Sequence, residues 1–114
     1  MQRYTNLFYY ELGNRLGHTG EYTNELDYDK MVPVECFKIG VRAHCDYEWV
    51  DLILDDCIVG NCGSYDYALK KYKELLEDPD ILYRRFVKTD KDLVKRLVTI
   101  LKDYKAQLAL EMEA

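Results

Sequence analysis

The sequence predicts an α+β domain that is mainly helical: an N-terminal helix, one two-stranded hairpin and three C-terminal helices, with an all-α bundle as the alternative. Apolar residues recur at helical spacing near the N-terminus and again after residue 64, while a middle segment alternates apolar and polar residues at the period of a strand. At 114 residues the chain has the length of one domain, taken as 1–114. Such a domain buries roughly 60–70% of the surface its unfolded chain exposes.

The first element is expected over residues 4–16, where Tyr4, Phe8, Leu12 and Leu16 stand four apart and Leu7 joins them on one helical stripe. "GHTGEYTNELDYDK" follows without period and reads as a long loop. In "VPVECFKIGVRA", Phe37, Ile39, Val41 and Ala43 alternate with Lys38, Gly40 and Arg42, as in a half-buried strand. "EWVDLIL" is also rich in β-formers, so a hairpin turning at "AHCD" is expected. The all-α alternative arises here: "DYEWVDLILDDC" places Val50, Leu54 and Cys57 at helical spacing, and residues 33–58 fit either state.

After a turn at "GNCG", Ser64 is a good N-cap for a helix over Tyr65–Glu77, with Ala68, Leu69, Tyr72, Leu75 and Leu76 on one face. Pro79 suits the first turn of a short helix through "PDILYRRFV". Thr89 with Asp92 three residues on reads as a capping box opening a long last helix, whose stripe is Leu93, Leu97, Ile100, Leu101, Tyr104 and Leu108. Leu110 and Met112 lie off that stripe and would suit a homodimer seam.

Composition narrows the function classes. The longest aliphatic run, Leu52 to Leu54, is far short of the ~20 apolar residues of a membrane span. The N-terminus lacks the apolar core of a secretory signal, so a cytoplasmic location with free thiols is expected. The net charge of −5 is segregated: Glu21 to Asp66 carries eleven acids against three bases, and Tyr67 to Lys102 carries ten bases against six acids.

"HCDYEWVDLILDDCIVGNC" gathers His44, Cys45, Cys57 and Cys62. A structural zinc site takes four soft ligands in closely spaced pairs. Here only Cys57-x4-Cys62 could clip an ion, and His44 and Cys45 point opposite ways on an extended chain. No metal and no cofactor are expected. Cys36 and Cys57 fit the core as small hydrophobes, with Cys62 in the turn and tolerant of Ser. No phosphate-binding glycine pattern is present, and Asp55-Asp56 suits a solvated turn better than paired-acid hydrolysis, so the chain is expected not to be an enzyme.

Eleven tyrosines, interleaved with acids, are the most unusual feature. Tyrosine supplies stiff contact area with a polar tip. The expected function is therefore a non-enzymatic intracellular protein-binding module of inhibitor or adaptor type, contacting its partner through Asp27, Tyr28, Asp29, Asp46, Tyr47, Glu48, Trp49 and Tyr65. The expected partner is a protein with a basic surface, including a groove that ordinarily holds nucleic acid, since carboxylates can take phosphate positions. Direct single-stranded nucleic-acid binding through "KKYK", "YRRF" and "KDLVKR" is the competing expectation, opposed by the acidic net charge. A Cys/His metal-binding module ranks third.

Overall fold

The computed structural model describes residues 2–44 and 46–113, His44 by its backbone only. Its elements run β1 (Gln2–Asn6), α1 (Leu7–Arg15), β2 (Thr23–Leu26), β3 (Lys30–Val34), β4 (Phe37–His44), β5 (Tyr47–Leu54), β6 (Cys57–Cys62), α2 (Tyr65–Glu77), α3 (Ile81–Arg85) and α4 (Lys91–Glu113). The six strands form one mixed sheet in the order β2-β1-β6-β5-β4-β3. Strands β3 to β6 are an antiparallel meander. Strand β1 then lies parallel to β6, and β2 pairs antiparallel on its outer side.

This overturns both the mainly helical expectation and the all-α bundle: the described residues are 45% helix and 32% strand, an α+β fold built on a large sheet. The expected hairpin forms from β4 and β5, but as two of six strands. Residues 4–16 are not one helix. Tyr4 lies in β1, and the Asn6 side chain accepts from the Phe8 and Tyr9 N–H groups, capping a helix that starts at Leu7. Spacings of four are also even, so alternate strand positions mimic a helical stripe. Part of the presumed loop is β2, whose residues Thr-Asn-Glu-Leu carry almost no apolar signal. "GNCG" is not a turn, because Gly60, Asn61 and Cys62 finish β6. A Cβ at Gly60 would come within 2.9 Å of the Leu52 Cβ, and the ladder shifts register beside it, so this glycine serves close strand approach rather than chain reversal. Reversal falls instead on Asp55 and Asp56, both at positive φ, a conformation Asp tolerates better than most residues.

The chain from Leu26 to Lys30 joins the two opposite edges of the sheet. Four Cα steps reach at most ~14 Å, whereas the edge strands of a flat six-stranded sheet stand five spacings, about 24 Å, apart. The sheet must therefore curl. Its concave side encloses Tyr4, Ile53 and Ile58, packed by Leu26, Tyr28 and Met31. The other side carries the main core, where Phe37, Ile39, Val50, Leu52, Leu54 and Val59 meet Leu75 of α2, Leu82 of α3 and Val94, Leu97, Val98 and Leu101 of α4. Residues 50–54 of β5 are buried on both faces, which is why this strand reads as an unbroken apolar run around one acid.

Two local expectations about named residues change. Asp90, not Thr89, caps α4, its carboxylate accepting from the Asp92 and Leu93 N–H groups. Thr89 is buried and donates to the Glu11 carboxylate, which also accepts from Lys88 N–H, tying the start of α4 to α1. Cys62 is buried against the helices rather than standing in a turn.

Cys62→Ser should therefore lower stability by about 1–3 kcal/mol in denaturant melts, through a hydroxyl placed in the apolar core. Asp90→Ala should cost about 0.5–2 kcal/mol as a lost cap. Thr89→Ala should act through α1 instead, so that in a double-mutant cycle with Glu11→Ala the two losses together are smaller than their sum.

Candidate interaction surface

The linker 27–29 and the hairpin β4–β5 meet at one end of the curled sheet. Asp29 continues the β4 edge: its N–H donates to the Val41 carbonyl, and its carboxylate accepts from Ala43 N–H. Tyr28 is thereby turned onto the concave face, over Gly40. A Cβ at Gly40 would fall 2.4 Å from the Tyr28 ring, so only glycine leaves the ring room. The ring stacks edge-on to Tyr4 at 5.4 Å.

Beneath it lies Asp51, in the middle of the central strand, its side chain only 3% exposed. A buried carboxylate needs charged and hydrogen-bonding partners. Asp51 has both: one carboxylate oxygen accepts from the Tyr28 hydroxyl at 2.7 Å and from Arg42 Nε and an Arg42 terminal nitrogen at 3.2 and 3.0 Å. The Arg42 guanidinium in turn sits 5.7 Å from the ring centres of both Tyr28 and Trp49, the residue paired with it across the strands. Burial first, then the hydrogen bond to Asp51, holds the Tyr28 hydroxyl protonated far above the ordinary tyrosine range.

Seven of the eight residues expected from sequence thus gather at this end of the sheet. Asp27, Tyr28 and Asp29 come on the linker, and Asp46, Tyr47, Glu48 and Trp49 on the hairpin. Tyr28 is the exception in exposure, being half-buried and structural. Tyr47 stands 73% exposed. Tyr65 is not joined to the group, because it opens α2 on the far face of the sheet. Sequence reasoning overlooked the pair that holds the surface together, Arg42 and Asp51. An acid inside "WVDLIL" is itself the signal, since a charge within an apolar strand requires a partner, and Arg42 is the base two residues from the same hairpin tip.

The described cysteines are Cys36, half-buried, and Cys57 and Cys62, both buried. Burial pushes the Cys36, Cys57 and Cys62 thiols up to about 11, well above neutral pH, where a thiolate nucleophile would have to exist. Among the described residues no group of three His, Cys, Asp or Glu side chains could hold a metal ion; Cys45 lies outside the described residues. No known protein family, curated protein or solved structure matches the chain.

Arg42→Met should leave the Asp51 carboxylate buried without its cation and lower stability by about 3–5 kcal/mol. Chemical denaturation, with the wild-type chain as reference, reads the effect.

Proposed function

We propose that the chain is a non-enzymatic protein-binding module, acting inside the cell as an inhibitor or adaptor, and that it meets its partner with the 27–29 linker and the tip of the β4–β5 hairpin. The observation that carries this reading is charge bookkeeping at the site. The Arg42 cation is engaged by buried Asp51, so it does not offset the exposed carboxylates of Asp29, Asp46 and Glu48, which stand with Asp27 beside the exposed Tyr47 ring. An acidic rim around aromatic contact area suits a basic protein surface, where charge sets the capture rate and rings slow escape.

The competing nucleic-acid reading loses support from the same bookkeeping on the helices. Several bases after residue 67 are ion-paired: Lys71 with Glu74, Arg84 with Asp78, Arg96 with Asp55 and Lys102 with Asp80. What remains is a mixed field rather than a basic stripe, and the net charge of −5 repels a polyanion.

The test is capture of a partner from lysate followed by kinetics on the purified pair. Changing Asp27, Asp29, Asp46 and Glu48 to their amides should slow association about tenfold or more at low salt and flatten its salt dependence. Tyr47→Ala should instead raise the dissociation rate. Unchanged rates in both variants, with thermal stability intact, would place the binding surface elsewhere. Retention of the wild-type chain on single-stranded nucleic acid would favour the competing reading.

A further inference from the structure

Two exposed apolar surfaces stand at opposite ends of α4, and their charges are complementary. The first is a groove of about 490 Å³ between α1 and the chain before α4, floored by Phe8, Tyr9, Leu12 and Val87 and edged by Arg15, Arg85 and Lys88. Arg85 is fixed there, its guanidinium 4.9 Å over the Phe8 ring. The acid of the groove, Glu11, is engaged with Lys88 N–H and the Thr89 hydroxyl. The groove is therefore apolar and net basic.

The second surface is the end of α4. Leu101 is its last buried residue among those described, yet the helix continues to Glu113. That overhang carries Leu110 at 67% and Met112 at 87% exposure, with Glu111 and Glu113 beside them. It is apolar and net acidic. A helix end of this kind gains little from propensity alone and is stabilised by packing its apolar residues on something.

The groove and the overhang cannot meet within one chain. Val87 and Lys88 lie just ahead of Lys91, where α4 begins, and a 23-residue helix holds its two ends roughly 34 Å apart. We infer that the chain pairs with a second copy of itself, the overhang of α4 in each copy lying in the Arg15–Arg85–Lys88 groove of the other. Antiparallel placement of the two α4 helices brings each acidic end to the partner's basic groove at once, so the contact is used twice and closes on itself. Asp27 to Asp29 and Asp46 to Trp49 take no part, so the pair would carry two copies of the hairpin surface. This association stands or falls independently of what that surface binds.

Sedimentation velocity on the full chain across the micromolar range should show a species of about twice the 13.5 kDa chain mass. E111K with E113K, and separately R15E with K88E, should each weaken pairing at least tenfold and sediment as monomers. All four positions are exposed, so both variants should keep the wild-type circular dichroism. Val87→Glu, also exposed, is a second groove variant. Mixing the two charge-reversed chains should restore a dimer, because each tail then faces a groove of opposite sign. A wild-type chain that stays monomeric throughout, a dimer indifferent to both reversals, or a mixture that remains monomeric would each overturn the inference.

Discussion

The architecture depends on a short link. Three residues, Asp27 to Asp29, connect strands at opposite edges of a six-stranded sheet, and chain geometry leaves a strongly curled sheet as the only way to span them. Curling makes an inner face, and the inner face needs filling. Tyr4, Ile53 and Ile58 supply most of that filling, but the link itself contributes Tyr28, whose ring occupies the space above Gly40.

Once Tyr28 is inside, its hydroxyl needs an acceptor, and Asp51 provides one. Asp51 in turn needs a cation, and Arg42 provides it while lying between the Tyr28 and Trp49 rings. Such a polar cluster contributes little net stability compared with apolar packing of the same volume. Its consequence is positional. Linker, β4 and β5 are held in one arrangement, and the acids and tyrosine outside them share one rigid support, which limits the entropy lost when a partner is engaged. Fold and proposed function are thus joined by the same few side chains.

How much of this is legible in the sequence varies by element and for identifiable reasons. Helix α2 is readable to the residue because Ser64 caps it and its apolar positions face one core. The β4–β5 hairpin is readable because alternation in "FKIGVRA" is clean. Strands β1 and β2 are not, since they bury few side chains: Gln2, Arg3, Thr23 and Glu25 are exposed and carry no apolar pattern. Strand β6 is hidden by Gly60 and Asn61, residues that signal a turn but here permit a bulge against Leu52. At α4 the sequence offers two adjacent cap candidates, Thr89 and Asp90, and only the third dimension shows that Glu11 claims the first. Of the candidate surface, the exposed acids and aromatics were visible as composition, whereas the pairing of Arg42 with Asp51 is a register relationship and appears only once β4 and β5 are aligned.

The central claim is that Tyr28 lies on the inner face of the sheet and locks the 27–29 linker to the hairpin. Proton NMR tests it most directly, through nuclear Overhauser contacts from the Tyr28 ring. The structure predicts strong contacts from that ring to the Gly40 α-protons and to the Tyr4 ring, with the Gly40 protons shifted by the aromatic current. A Tyr28 ring showing none of these contacts and the shifts of a solvated tyrosine would contradict the account.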